Sequence, residues 1–217
     1  SMVPIGAAVK DGYDAGHGLP FDSEGMKERY PGVFFSQFTG AELVADKWNL
    51  SREDLDKFAL ESHQKAAHAT ESKYFDREIL PVEGRNAEGM NDLVMADEGI
   101  RFDASLDKLA GLNPVTEGGV ITAGNASQIT DGAAAVMVCN DAGLKKIQAN
   151  PRAEIVSISV VGDDPVFMLT GPIPASIQAL KTANLTIDDM DLYEVNEAFA
   201  PVPLAWACLL YTSPSPR

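Results

Sequence analysis

Cysteine and positive charge are what this 217-residue sequence has least of. Its two cysteines, Cys139 and Cys208, are too few for a disulfide framework, and Cys139 lies in the apolar run AAAVMVC, where we expect a small buried thiol. Against 32 Asp and Glu side chains stand only 17 Lys and Arg, for a formal charge of −15. This acidity argues against nucleic acid or an anionic membrane as the main partner, although a local basic site could still hold an anionic ligand.

Histidines and long apolar runs are also scarce. Of the three histidines, His63 and His68 are five residues apart on a predicted helix, so they do not share a face as metal ligands four apart do, and no metal site is predicted. No apolar run approaches transmembrane length. The N-terminus SMVPIGAAVKDG lacks the basic start and cleavage pattern of a signal peptide. These absences favour a cytoplasmic location.

The remaining composition, with 45% apolar and 23% charged residues, is typical of a globular protein with a sizeable core. Residues 1–40 are rich in Gly, Pro and Asp, which predicts loops and short helical turns. Helices are predicted over GAELVADKW and over the long segment that follows Ser51. Ser51 is a suitable N-cap for the second helix, with Asp54 at the N3 position of a capping box.

Beyond Asp131 the pattern alternates between strand and helix, which predicts an α/β fold. The run 133–139 suits a buried strand or a tightly packed helix, and AEIVSISVVG and DLYEV are predicted strands, as is the short REILPV earlier in the chain. AGLKKIQAN and PIPASIQALKTAN are predicted helices, the second with proline near its first turn.

Polar residues suited to ligand binding follow two of these segments. Asn196 and Glu197 come directly after DLYEV, and ligands of α/β sheets bind beyond the carboxyl ends of strands. An amide there can hold a water or a substrate oxygen, but Asn196 could equally cap the next helix. In TAGNASQITDGAAA, the glycines, Gly124 among them, let the backbone approach a ligand closely and Ser127 offers a short hydrogen-bonding group, or the segment could be a turn that satisfies its own backbone. Met168 is either pocket lining or core filler.

Taken together, VNEAFA, TAGNASQITDGAAAV, TGPIPA and the opening SMVPIG resemble the motifs of the thiolases, in that family's order, over essentially all of residues 1–207. The resemblance implies a five-layered αβαβα fold made of two similar halves, with a loop domain inserted in the first half. It divides the chain into a CoA-covering loop domain at 1–130, the last strand and helix of the N-terminal half at 131–150, and the first part of the C-terminal half at 151–207. Residues 208–217, CLLYTSPSPR, instead resemble a translated sequencing adapter, and we expect a non-native tail there rather than a natural disordered one.

The activity that the resemblance implies is reversible thiolytic cleavage of 3-ketoacyl-CoA to acyl-CoA and acetyl-CoA. CoA and acyl-CoA are then substrates, no cofactor is bound permanently, and the intact enzyme is a homodimer or homotetramer. Thiolases use two catalytic cysteines and the histidine of a Gly-His-Pro motif, and neither Cys139 nor Cys208 matches either cysteine. We therefore expect the 217-residue chain alone to be inactive and prone to aggregate.

Five residues match ligand-binding positions of the family. Asn196 matches the asparagine that holds the water of the oxyanion site, and Ser127 matches a serine near the pantetheine arm of CoA. Met168 matches a methionine lining the acyl pocket, and Phe199 matches the motif's aromatic wall. Arg101, in DEGIRFDASL, matches an arginine near the adenosine phosphates of CoA.

Two departures from the family pattern bear on specificity. Lys108 stands where some thiolases have a serine near the adenine, and FFSQFTGAE lacks the His-Met pair of some short-chain biosynthetic members, which favours a degradative or broader acyl range. One alternative is a non-catalytic thiolase-like protein that binds lipid or acyl-CoA. Another is a condensing enzyme of the ketosynthase type, against which VNEAFA argues because those enzymes place a histidine at the asparagine position.

Overall fold

The computed structural model describes residues 6–85 and 88–210, and helices dominate this part of the chain. Its α-helices are α1 (Ala7–Asp14), α2 (Glu24–Arg29), α3 (Gln37–Lys47), α4 (Arg52–Glu71), α5 (Leu106–Ala110), α6 (Asp141–Ile147), α7 (Pro172–Ala183) and α8 (Pro201–Leu210). A short 3-10 helix spans Ile187–Asp189, and the strands β1 (Val82–Arg85) and β2 (Asn91–Val94) form an antiparallel pair in which Val82 lies opposite Val94.

The start of α4 confirms the local prediction made from the sequence. The Ser51 hydroxyl accepts a hydrogen bond from the Asp54 N–H, and the Asp54 carboxylate accepts one from the Ser51 N–H at 2.9 Å. This capping box satisfies backbone donors that the first turn of a helix leaves without a partner. Hydrogen bonds from the Ser51 side chain and backbone hold the pKa of Asp54 below its ordinary value of 3.8.

Replacing Ser51 by alanine is expected to lower the free energy of unfolding by about 1 kcal/mol at neutral pH, the usual cost of losing an N-cap. A carboxyl group with a lowered pKa contributes stability above its unfolded value, and that contribution is lost as the pH falls through the lowered value. The difference between wild type and S51A should therefore shrink at a pH below 3.8. Denaturant unfolding of wild type and S51A at neutral pH and at a pH below 3.8 measures the two differences in the free energy of unfolding. Equal differences at the two pH values would contradict the role of the Asp54 carboxylate.

The apolar core lies between α3, α4, α8 and the segment around residue 121. Its buried side chains include Ala41 of α3, Leu55 of α4, Ile121 and Val202 of α8. Gly40 of α3 packs directly against the backbone of Phe167. An added Cβ on Gly40 would lie 2.5 Å from the Phe167 carbonyl oxygen. Side-chain burial at this helix junction fixes the position of the chain immediately before α8.

A buried polar network joins α4, α5 and the segment 120–125. Asp56 is only 3% exposed, and its carboxylate accepts hydrogen bonds from Arg52 Nε at 2.7 Å and from Asn125 Nδ2 at 3.1 Å. Arg52 also donates to the Leu109 carbonyl at the end of α5. The Asn125 side-chain oxygen accepts from the Thr122 N–H at 2.8 Å. Every charged group of this buried cluster therefore has a partner, as burial requires.

Glu42 of α3 provides a second anchor for the same segment. Its carboxylate accepts hydrogen bonds from the N–H groups of Val120 and Ile121 at about 3.0 Å. Gly119 must be glycine for this contact, because a Cβ there would lie 2.2 Å from Glu42 Oε1. The Gly-rich segment is thus held in place by helices on two sides.

The predicted strands in the second half of the chain are not present in the described residues. The segments 133–139, 153–162 and 191–195 have neither helix nor strand, and Val136, Val160 and Leu192 are 87%, 89% and 90% exposed. Cys139, predicted to be a buried thiol, is exposed as well. A strand forms only when a neighbour pairs with its N–H and C=O groups, and no described strand pairs with these three segments.

Most predicted helices are confirmed, whereas the strand REILPV is displaced to β1. The helix over PIPASIQALKTAN is α7, with proline at its first position, and the helix over AGLKKIQAN is α6. Cys208 to Leu210, expected to be unstructured, continue α8, while the rest of that segment and residues 1–5 of SMVPIG lie outside the described residues. Within the described ranges, no helix is both long and apolar enough to cross a bilayer.

Candidate functional site

The two motif segments that resemble ligand-binding loops lie side by side. The Ser127 N–H donates to the Ala198 carbonyl at 2.9 Å, and the Ala200 N–H donates to the Asn125 carbonyl at 2.9 Å. Ala126 and Phe199 thereby form an antiparallel bridge. This pairing joins residues 71 and 75 positions apart in the chain and brings Ser127 close to the segment that follows Asn196.

Asn196 does not cap the helix that follows it. α8 begins at Pro201, and Asn196 lies five residues earlier, with the bridge residue Phe199 between them. The Asn196 amide is exposed and has no hydrogen-bond partner among residues 6–85 and 88–210. The capping alternative is therefore wrong, and the amide keeps both a donor and an acceptor for a water or a substrate oxygen.

Phe199 forms a buried wall next to the segment that carries Asn196. Its side chain is 5% exposed, and its ring meets that of Phe38 from α3 edge to face, with the ring centroids 5.3 Å apart. An edge-to-face pair of aromatic rings contributes more stability than the burial of its apolar area alone. The aromatic wall is thus tied to the core through α3.

The loop that carries Arg101 is connected to the same cluster. Gln128, next to Ser127, donates from its side chain to the Gly99 carbonyl at 2.5 Å. The Arg101 N–H donates to Nδ1 of His63 on α4 at 3.2 Å. The Arg101 guanidinium itself is exposed to solvent. The structure therefore places an exposed cation on a loop that contacts both α4 and the Ser127 segment.

Lys108 is engaged locally instead of facing this cluster. Its ammonium group forms an ion pair with Asp103 and donates to the Asp103 carbonyl oxygen at 2.9 Å. The hydrogen bond from Lys108, followed by its charge, lowers the pKa of the Asp103 carboxyl group. The Lys108 ammonium group therefore has a carboxylate partner within the protein and needs no ligand to balance its charge.

Met168 lies in a separate apolar pocket of about 340 Å³. Phe21, Phe35 and Met168 line it, and both Phe21 and Met168 adopt left-handed backbone conformations, with φ of 69° and 56°. Such conformations cost free energy for residues other than glycine and occur often at functional sites. No hydrogen bond or ring contact in the described part of the chain joins this pocket to Asn196.

Sequence reasoning missed two contacts of α4. The Ser62 hydroxyl donates to Glu197 Oε2 at 2.6 Å, and His63 accepts from Arg101 as described above. The sequence places Ser62 on the apolar face of the helix and gives His63 no partner. No local signal could have found either contact, because their partners are 135 and 38 residues away.

The site offers neutral hydrogen-bonding groups, an aromatic wall and one exposed cation. This set can hold the oxygen of a thioester and an anionic group at some distance from it. The described residues contain no cluster of His, Cys, Asp or Glu that could bind a metal ion. Both cysteines are free and exposed, and neither contacts the site segments in the described structure.

Comparison with known families identifies the family and the α/β fold class of the chain. The family model for the thiolase N-terminal domain matches residues 21–142, and the model for the thiolase C-terminal domain matches residues 149–214. The second match reaches into the segment expected to be non-native. The chain belongs to the thiolase family.

Similar proteins carry thiolase names. The chain is 46% identical over 207 residues to the steroid 3-ketoacyl-CoA thiolase FadA6 of Mycobacterium tuberculosis, covering 95% of this chain and 49% of that protein. It is 43% identical over 176 residues to the mitochondrial 3-ketoacyl-CoA thiolase of Rattus norvegicus, covering 81% and 44%. The chain therefore spans about half the length of the curated relatives it matches.

Solved thiolase structures share the fold, which confirms the predicted fold class. The human mitochondrial 3-ketoacyl-CoA thiolase superimposes with a TM-score of 0.76 at 43% identity, over 81% of this chain and 44% of that one. The Bacillus anthracis acetyl-CoA acetyltransferase gives 0.78 at 36% identity, over 84% and 46%. The human enzyme has also been solved in complex with CoA.

Proposed function

We propose that the full-length protein that carries this chain cleaves 3-ketoacyl-CoA with CoA, giving acyl-CoA and acetyl-CoA. The observation that carries the proposal is the pairing of Asn125–Ser127 with Ala198–Ala200, which brings two of the motif segments side by side. The names of the relatives at 42–46% identity support the same activity. CoA and its thioesters are substrates in this proposal, and no cofactor is bound permanently.

Each site residue has a role in the proposal that its position supports. The exposed Asn196 amide holds a water whose hydrogen bond stabilises the oxyanion that develops on the thioester carbonyl. Ser127 contacts the pantetheine arm, and the Arg101 guanidinium contacts the phosphates at the other end of CoA. Phe199 closes the site on its core side, and Met168 lines the pocket for the acyl chain.

Purified full-length protein, incubated with a 3-ketoacyl-CoA and CoA, tests the activity. The expected products are acetyl-CoA and an acyl-CoA shorter by two carbons, in equal amounts and only when free CoA is present. Tight binding of the thioester with no cleavage would contradict the proposal and favour a non-catalytic binding protein.

Replacing Arg101 by alanine is expected to raise KM for CoA about tenfold, because a charge-assisted hydrogen bond to phosphate contributes about 1.5–3 kcal/mol. The KM for a pantetheine thiol, which lacks the adenosine phosphates, should not change. Lys57→Ala is the matched control, since its ammonium group is paired with Glu53 on the exposed surface of α4. A rise in KM that is equal for CoA and pantetheine would contradict the phosphate contact.

The proposal extends to location and assembly. We place the protein in the cytoplasm as a homodimer or homotetramer, while one relative is named as mitochondrial. Sedimentation of the full-length protein measures the assembly, and a monomer at working concentrations would contradict it.

A further inference from the structure

Two consecutive residues of α4 each bind a different segment of the site. The Ser62 hydroxyl donates to Glu197 Oε2 at 2.6 Å, and the Arg101 N–H donates to His63 Nδ1 at 3.2 Å. Successive residues of a helix point about 100° apart, so one short stretch can reach two neighbouring loops. Neither contact belongs to the helix itself, and each joins α4 to residues far away in sequence.

The first contact acts next to the candidate oxyanion amide. Glu197 directly follows Asn196, in the stretch 191–197 that has neither helix nor strand. A carboxylate that accepts a short hydrogen bond from a hydroxyl is held by one of the stronger side-chain interactions. Holding Glu197 fixes the peptide that precedes it, and therefore the direction in which the Asn196 amide projects.

The second contact acts on the candidate phosphate cation. Nδ1 of His63 accepts the Arg101 N–H through its ring lone pair. The contact holds the main chain of Arg101 and leaves its guanidinium exposed and available to a ligand. The Gln128 contact to Gly99 fixes the same loop from the other side.

α4 is a fixed base for both contacts. The helix spans 20 residues, begins with the capping box of Ser51 and buries Leu55, Asp56 and Ala59. Asp56 ties it to Asn125, two residues before Ser127. A side chain on a well-packed helix positions a catalytic group more precisely than a loop alone can.

We propose that Ser62 and His63 are positioning residues, Ser62 for the Asn196 amide and His63 for the Arg101 loop. This inference rests on the proposed function, because it assigns the two tethers to two parts of one reaction. It separates them kinetically: Ser62 acts on the step in which the oxyanion develops, whereas His63 acts on CoA binding.

Steady-state thiolysis by full-length variants tests the inference. Ser62→Ala is expected to lower kcat about 3- to 10-fold with little change in KM for CoA, since one hydrogen bond of net 0.5–1.5 kcal/mol is lost. His63→Leu is expected to raise KM for CoA by a similar factor with little change in kcat. Ser62→Thr keeps the hydroxyl, and His63→Asn keeps an acceptor near the place of Nδ1, so both should restore most of the loss.

His68 and Thr70, which lie closer to the C-terminal end of α4, provide matched controls. The Thr70 hydroxyl donates to the Ala66 carbonyl within the helix, and the His68 ring meets the Tyr74 ring edge to face. Thr70→Val and His68→Leu remove the same kinds of group and should leave kcat and KM at wild-type values. Equal losses in the controls, or a loss that Ser62→Thr and His63→Asn do not restore, would overturn the inference.

The outcomes also separate this inference from the proposed function. Wild-type protein that cleaves no 3-ketoacyl-CoA overturns both. Active wild-type protein with unchanged kinetics in Ser62→Ala and His63→Leu overturns the positioning roles alone. A fall in kcat confined to Ser62→Ala and a rise in KM confined to His63→Leu support them.

Discussion

Replacing Asn196 by alanine is expected to lower kcat for thiolysis about 10²- to 10³-fold in the full-length protein. The amide is exposed, does not cap α8 and stands beside the paired segments that contain Ser127 and Phe199. A fixed donor system aimed at a developing oxyanion is worth this much because it is stronger in the transition state than in the ground state. KM for CoA should change little, since Asn196 does not contact the phosphates in this account.

Two comparisons make the Asn196 result interpretable. Asn150→Ala removes an exposed amide outside the site and should leave the kinetics unchanged. Circular dichroism and the midpoint of thermal unfolding should match wild type for both variants. If N196A keeps wild-type kcat and KM, the oxyanion role of this amide is contradicted.

Replacing Asp56 by alanine is expected to lower the free energy of unfolding by about 3–5 kcal/mol, the usual cost of removing one partner of a buried ion pair. Asp56 is 3% exposed and pairs with Arg52 and Asn125. Its loss removes the only charged acceptor of Arg52 and Asn125, which then keep only backbone carbonyls as acceptors in a site that water reaches poorly. A loss of this size is a large share of the stability of a typical domain.

Glu53→Ala is the matched control for Asp56. Glu53 lies on the same helix and pairs with Lys57 on the exposed surface, where solvent screening leaves an ion pair with little effect on stability. Urea unfolding of both variants compares the two carboxylates directly. Similar small losses would show that the Asp56 network does not hold α4 to the Asn125 segment.

How well each part of the fold could be predicted depends on how far apart in the sequence the interacting residues are. The Ser51 cap and the helix over Pro172–Ala183 are set by residues within a few positions, and both predictions are confirmed. The predicted strands at 153–162 and 191–195 depend on neighbouring strands, and none lies beside them in the described part of the chain. Apolar patterning alone could not supply that information.

The same distinction applies to the site. Asn196 and Ser127 were predicted from motifs, and the structure places their segments side by side, although their roles stay predictions. The hydrogen bond between Ser62 and Glu197 joins residues 135 positions apart, and nothing in the local sequence predicts it. Pairwise contacts of this kind are visible only once the chain is folded.

A crystal structure of the full-length protein with bound CoA tests the central claim most directly. The expected complex has the thiol end of CoA next to a water held by the Asn196 amide, the pantetheine arm along Ser127 and the phosphates within hydrogen-bond distance of Arg101. CoA bound elsewhere, with Asn196 and Arg101 both facing solvent, would contradict the claim that these segments form the thioester site.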